Sequence, residues 1–269
     1  MEVIRSRSHA LIRRARELAE SAAARREEGR CVMQGERLIA DWLVHGGTVE
    51  CLISPPGWAP GAVDTASGRI LRGLVQIPVS AAIAPALDRI GGASGPLAIG
   101  VLVEHPVPDP GKGDMLYLDG IQDPGNVGSL LRSAASFGIT RCIPGPGCAD
   151  FWSPKVLRAA MGSHPRLQLH AVTAWADFRA TATRILRAAD PQGVPADQVD
   201  LRIPGVWIVG SEGAGLSAVV RADPHVGRVS VPMAQGIDSL NAAVAQGILF
   251  YEQQRQRRAA STSGRGLAP

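Results

Sequence analysis

Asn126 and Arg132 stand six positions apart in the stretch DGIQDPGNVGSLLRSAASFG, Asp119 to Gly138, where an Asp-Pro-Gly-Asn turn meets a helical pattern. An amide that both donates and accepts hydrogen bonds, followed by a charged fork of donors, can hold a polar ligand at a helix mouth. The same residues also have a purely structural reading, Asn126 as the helix N-cap and Arg132 as a solvated charge. Val127, Leu130, Leu131 and Ala134 recur at helical spacing, which sets Arg132 on the opposite flank among Ser129, Ser133 and Ser136. Gly125 and Gly128 allow close approach of whatever lies at the mouth of that helix.

Two further stretches carry chemistry. VWIVGSEGAGL, Val206 to Leu216, runs from an apolar strand into a glycine-rich turn that holds Glu212. The turn lacks the Lys-Ser/Thr of a phosphate loop and the G-x-G-x-x-G spacing of a dinucleotide site. Glu212 would also repel phosphate, so a ligand without phosphate, itself cationic, fits better. The carboxylate is free to orient Arg132 or another polar group, or simply to cap the turn at Ser217. VSVPMAQGIDSLNAAVAQGILFYE, Val229 to Glu252, reads as a strand, a loop with Pro232 and Met233, and Ser239-Leu240-Asn241 opening a helix. Leu240, Val244, Gly247, Ile248 and Tyr251 form one face of that helix, and Ser239 stands where an N-cap belongs.

The elements that must position these residues fall into two groups. Residues 8–28 read as one helix, followed by a strand, a glycine turn, a helix and a second strand near Val49 to Ile53, a small α/β module. DRIGGASGP, Asp88 to Pro96, has the composition of a linker. Beyond it, short apolar runs alternate with helical patterns, starting at LAIGVLVE and including a helix over 175–189. That alternation predicts an α/β fold with a largely parallel sheet, whose strand ends are where ligands bind. The C-terminal STSGRGLAP has the composition of a disordered tail.

Composition bounds the function. A chain of 269 residues, 45% of them hydrophobic, can bury a sizeable core. No apolar stretch has the length of a signal peptide or membrane span, which makes the cytoplasm the expected location and excludes a membrane partner. Cys31, Cys51, Cys142 and Cys148 are far apart, without the close pairs of a zinc site, and read as free thiols; no metal is expected. The net charge of +4 leans toward polyanionic partners, and arginines gather at both ends of the chain, from Arg5 to Arg30 and at Arg255, Arg257 and Arg258.

In this order and spacing the three stretches resemble the signature motifs of the SpoU/TrmH family of the SPOUT superfamily, RNA ribose 2'-O-methyltransferases that use S-adenosylmethionine. The resemblance covers roughly Pro96 to Tyr251 and implies a catalytic SPOUT domain over 96–254, with a mostly parallel sheet, a deep trefoil knot and a homodimeric state. Residues 1–90 resemble the family's small L30e-like α/β substrate-binding domain through VMQGERLIADWLVHG, and 255–269 are left as a basic, disordered tail.

By the same resemblance Arg132, Asn126, Glu212, Ser239 and Asn241 are the catalytic residues. Arg132 would serve as general base or position the hydroxyl, or hold a phosphate as a cation, since a guanidinium normally stays protonated. Backbone groups at Gly210, Val231 and Leu240, with Val209 and Met233, would hold S-adenosylmethionine. Ala243 departs from the family pattern, which commonly has a small hydroxyl residue there. Arg158 and His164, in KVLRAAMGSH, could touch RNA or be a surface charge and a loop histidine. The expected partner is RNA, ribosomal in preference to transfer RNA. A catalytically silent RNA-binding or ribosome-assembly protein and a base-modifying SPOUT enzyme are the alternatives.

Overall fold

The alternating pattern resolves into two compact units in the computed structural model, which describes residues 3–60, 70–102, 104–105, 113–236 and 239–263. One unit is formed by the chain up to 102 together with 150–166, the other by 104–149 and the chain from 167 onward.

The first unit runs α1 (Ala10–Glu20), α2 (Ala22–Glu28), β1 (Arg30–Gln34), α3 (Glu36–Val44), β2 (Val49–Ser54), β3 (Gln76–Pro78), α4 (Ala84–Gly91) and β4 (Leu97–Val101), and α6 (Pro154–Ala160) joins it from further along the chain. Its sheet has the order β1-β4-β2-β3, with β4 antiparallel to both neighbours. Ile12, Leu18, Val32, Ile53, Leu87 and Ile99 meet in its core.

Two expectations are corrected here. The single helix over 8–28 is two, because Ser21 leaves helical geometry (φ −110°, ψ 116°) and its hydroxyl accepts a 3.1 Å bond from the Ala24 amide, capping α2. The stretch 88–96 is not a linker. Asp88 to Gly91 finish α4, Gly92 closes it at φ 70°, and Leu97–Val101 becomes an inner strand of the first sheet instead of the opening strand of the second unit. Glycine-rich composition marked a helix stop, which sequence alone does not separate from a domain boundary.

The second unit contains β5 (Glu104–His105), β6 (Met115–Asp119), α5 (Pro124–Ser136), β7 (Arg141–Pro144), β8 (Gln168–His170), α7 (Trp175–Thr181), β9 (Ile185–Pro195), β10 (Gly205–Gly210), α8 (Ala218–Arg221), β11 (Val226–Ser230) and α9 (Ala242–Ser263). Strand order is β11-β9-β10-β6-β7-β8-β5, and every adjacent pair is parallel. The unbroken apolar runs MLYLD and GVWIVG are therefore the paired central strands β6 and β10, covered on both faces. From β6 the chain steps outward to β7 and β8, then returns on the other side of β6 through β9 and β10. That reversal opens a crevice at the carboxyl ends of β6 and β10, where such sheets bind ligands.

The helix expected over 175–189 ends at Thr181, and the chain from Ile185 is a strand in register with both β10 and β11. The tail expected from 255 onward is helical as far as Ser263; 264–269 lie outside the described residues. Tertiary bonds that composition cannot reveal hold this end of α9. Gln256 Oε1 accepts from the Leu201 amide at 2.9 Å, and Arg257 Nη1 lies 2.5 Å from Asp114 Oδ2.

Asp114 is the anchor of that contact. Its buried carboxylate also accepts from the Gly205 amide at 2.9 Å and from Gln253 Nε2 at 3.0 Å, tying β10 to α9. Asp114→Ala takes the acceptor from Gln253 Nε2 and the Gly205 amide and the carboxylate from Arg257, which is half-exposed and keeps the Arg202 carbonyl at 3.0 Å, so a loss of about 1–3 kcal/mol is expected in urea unfolding of the full chain. A loss under about 1 kcal/mol would show that other contacts hold α9.

Candidate functional site

The site grows from the turn after β6. Asp123, not Asn126, is the N-cap of α5: its side chain accepts from the Asn126 amide at 2.8 Å, and Pro124 occupies the first turn. Proline, lacking an N–H, is favoured just inside a helix start, so the residue before it takes the cap. Asn126 is thereby freed from capping. It sits inside the helix, nearly buried, with its side chain turned to the C-terminal segment.

Asn241 is the partner. Its Oδ1 accepts from the amides of Ala243 at 3.0 Å and Val244 at 3.2 Å, which makes Asn241, not Ser239, the cap of α9. This fixes the Nδ2 group outward, and its two protons go to Asn126 Oδ1 at 2.9 Å and to Glu212 Oε1. Glu212 Oε1 also takes the Ala242 amide at 3.4 Å. The carboxylate thus orients Asn241, and neither Arg132 nor the Ser217 turn receives it. Ser217 is held instead by Asp119 Oδ2, 2.6 Å from its amide.

The three loops named from sequence therefore meet in one network, with one exception. Arg132 is exposed on α5, and among the described residues its guanidinium has no hydrogen-bond or ion-pair partner. Asn126 Nδ2 is likewise without a partner among the described residues and remains available as a donor.

Beside the network lies a cavity of about 500 Å³, formed by the ends of β9, β10 and β11 and the segment leading into α9. Gly210, Val231, Leu240, Val209 and Met233 all line it, as do Glu212, Ser239 and Asn241. Sequence reasoning missed its remaining wall, Ala189 to Pro191, because it assigned part of that segment to a helix. It also missed Asp119 and Asp123, although an acidic residue before Pro is a recognisable cap signal. Among the described residues no lysine or arginine lines the cavity, while Glu212 and Asp190, the latter 3.6 Å from Arg228 Nε, do. Such a lining suits a cationic ligand without phosphate, and the volume falls in the range of small-molecule sites.

Arg158 and His164 are both engaged within the first unit, Arg158 half-buried and His164 in its interior. Arg158 Nη1 donates to the carbonyls of Gly91 at 2.8 Å and Gly92 at 3.0 Å. His164 is 1% exposed, lies against Trp42 and Trp152, and has Nε2 2.7 Å from the Phe151 carbonyl. Burial pushes its imidazole down to about 4, so it is neutral at pH 7 and unavailable to RNA. The four cysteines are free, and burial raises every one of their pKa values, Cys31 to about 12. None is a ready nucleophile.

A doubly covered parallel sheet with a loop-built, phosphate-averse pocket at its carboxyl edge defines a small-molecule-dependent α/β enzyme. Residues 114–251 match the SpoU rRNA Methylase family. Over 270 aligned residues the chain is 32% identical to an uncharacterized tRNA/rRNA methyltransferase of Synechocystis sp., covering 97% of this chain and 96% of that one. It is 33% identical over 140 residues to the 23S rRNA (guanosine(2553)-2'-O)-methyltransferase RlmP of Bacillus subtilis, a match that spans 51% of this chain and 56% of the relative. The crystal structure of the SpoU methyltransferase AviRb from Streptomyces viridochromogenes, in complex with AdoMet, is similar at a TM-score of 0.76 and 25% identity, over 93% of this chain and all of that one. The chain belongs to the SpoU rRNA methylase family and is an S-adenosylmethionine-dependent RNA methyltransferase.

Proposed function

We propose that this protein methylates the ribose 2'-hydroxyl of a nucleotide in structured RNA, ribosomal RNA in preference to transfer RNA. The observation that carries the reading is the Asn126–Asn241–Glu212 network at the rim of a cavity lined, among the described residues, by the Glu212 carboxylate and by no lysine or arginine. S-adenosylmethionine, when bound there, supplies an electrophilic methyl group on a sulfonium sulfur. Val209, Val231, Leu240 and Leu249 offer an apolar wall, and the backbone near Gly210 offers polar groups to its adenosine part.

Asn126 Nδ2 donates to the target hydroxyl region, and Asn241 fixes the orientation of that amide. Arg132 is exposed and, among the described residues, has no ion-pair partner, which leaves its guanidinium fork open to a phosphate. Its role is to hold the RNA phosphate next to the reacting ribose and keep the hydroxyl in line, with the hydroxyl proton leaving to that phosphate or to water. Raised thiol pKa values disfavour the covalent cysteine chemistry that some base-modifying enzymes need.

A homodimer would complete this site. Leu240, just before α9, and Val244, Ile248 and Tyr251 along it are 38–58% exposed, an apolar face that a monomer leaves in water. Beside it runs a groove lined also by Ser129 and Ser133 of α5, the helix that carries Arg132, and by its C-cap Phe137. A second copy seated there would bring Arg132 into a closed site. The trefoil knot of the family is part of the same reading, supported by the bonds that tie the start of α9 to Glu212. The first unit would act as an L30e-like RNA-binding domain. No helix among the described residues is long and apolar enough to cross a membrane, in keeping with work on RNA in the cytoplasm.

The test is methyl transfer from labelled S-adenosylmethionine to RNA from a strain without this gene, with digestion to nucleosides. Label in a 2'-O-methyl nucleoside supports the reading; label in a methylated base overturns it. Asn241→Ala removes both the α9 cap and the link between Asn126 and Glu212. It is expected to weaken S-adenosylmethionine binding by about 1–3 kcal/mol in calorimetry. Unchanged affinity would place the network outside the donor site.

A further inference from the structure

The arginines of the first unit fall into two sets. One set is engaged within the fold. Arg14 pairs with Glu28 at 2.6 Å and Glu50 at 2.5 Å, Arg25 with Asp150 at 2.5 Å, Arg30 with Glu50 at 2.8 Å, and Arg158 with two backbone carbonyls. The other set lines one cleft. Arg7, just before α1, Arg16 on α1 and Arg89 in the last turn of α4 surround a space of about 320 Å³ together with Glu20, Ala86 and Ile90. The three arginines and Glu20 are exposed, while Ala86 and Ile90 are buried and form an apolar floor. Among the described residues none of the three guanidiniums has an ion-pair partner, Glu20 included.

Three like charges gathered around one cleft repel each other, and the fold draws no ion pair from them in return. The arrangement is relieved by an anion with several charges in sequence. A guanidinium fork matches a phosphate bidentately, and three forks drawn from three segments suit successive phosphates better than a single one. The apolar floor can take a ribose face. Glu20 can accept a hydrogen bond from a ribose hydroxyl.

We propose that the cleft between α1 and α4 binds consecutive backbone phosphates of the RNA substrate. The inference rests on the RNA methyltransferase reading, and assigns Arg7, Arg16 and Arg89 as substrate-binding residues that position RNA without reading its sequence.

The experiment uses the full chain with Arg7, Arg16 and Arg89 all changed to Ala. A charge-matched control changes Arg26, Arg37 and Arg166, exposed arginines elsewhere on the same unit, to Ala. Purified ribosomal RNA is titrated at several salt concentrations, S-adenosylmethionine binding is measured by calorimetry, and inorganic phosphate is tried as a competitor. The cleft variant is expected to lose at least about ten-fold more RNA affinity than the control. Its slope of log affinity against log salt should be shallower by about one per lost contact. Donor affinity and thermal midpoint should match the wild type. Equal losses in the two variants, or no loss in either, would overturn the proposal. So would displacement of RNA by millimolar phosphate, the mark of a lone-anion site. If the wild-type chain binds S-adenosylmethionine but neither binds nor methylates RNA, the functional reading itself falls; wild-type RNA binding with an unaffected cleft variant sinks the cleft alone.

Discussion

Arg132→Ala is expected to lose methyl transfer by about 10²–10⁴-fold, the usual range for a group that positions or relieves a proton in the transition state, while binding S-adenosylmethionine as the wild type does. The separation follows from placement. The donor cavity is lined by the ends of β9, β10 and β11 and by the entry to α9, whereas Arg132 stands out on α5 and is absent from that lining. Single-turnover methylation beside calorimetric donor binding measures the two effects independently. Arg132→Lys refines the result: a lysine keeps the charge but not the planar fork, so a residual rate well above that of Ala favours phosphate holding. Full turnover with Ala would remove Arg132 from the mechanism.

Gly210→Val should produce the opposite pattern, loss of donor binding as the primary defect. The obstacle to a side chain here is the chain's own backbone. A Cβ at Gly210 would stand 2.4 Å from the Gly215 carbonyl carbon and 2.6 Å from the Leu216 nitrogen, both backbone. The loop cannot yield locally, because Ser211 and Gly215 exchange backbone hydrogen bonds of 3.0 and 2.9 Å. The substitution therefore forces the Glu212 loop off the end of β10, at a cost of at least about 1–3 kcal/mol, and carries away the carboxylate that orients Asn241. The expected result is a donor affinity lowered by about an order of magnitude or more, with a lower thermal midpoint. Wild-type donor affinity would show that the loop is not part of the donor site.

Much of the catalytic unit was legible because its motifs sit on local patterns. MLYLD and VWIVG announce buried strands, the turn after Leu118 announces a helix start, and the glycines of GSEGAG announce a turn that is not a phosphate loop. What could not be read was pairing between distant residues. Nothing in the spacing distinguishes Glu212 beside Asn241 from Glu212 beside Arg132, since that choice is made by a hydrogen bond across 29 positions of chain. Asn126 was misread as a cap because an asparagine at a helix mouth satisfies the local rule as well as Asp123 does, and only the geometry shows which side chain reaches the free amide. The strand Leu97–Val101 was given to the wrong unit because an apolar pentapeptide carries no record of its partners. The same holds for Ile185–Pro195, whose strand character comes from parallel neighbours on both sides.

The first unit is not one continuous stretch of chain. It closes only when 150–166 returns to it, where Arg25, 3% exposed, meets Asp150 and the Arg158 guanidinium reaches the carbonyls that end α4. During synthesis, then, the N-terminal part emerges from the ribosome well before it can finish folding. By the time residue 166 is available, β6, α5 and β7 of the other unit have already been made. The two units must mature in an interleaved order, and a gene cut after residue 102 would deliver a fragment with Arg25 buried against no counter-charge. A replacement of the N-terminal unit would have to match the 150–166 segment, which is inserted in the middle of the other unit's sequence.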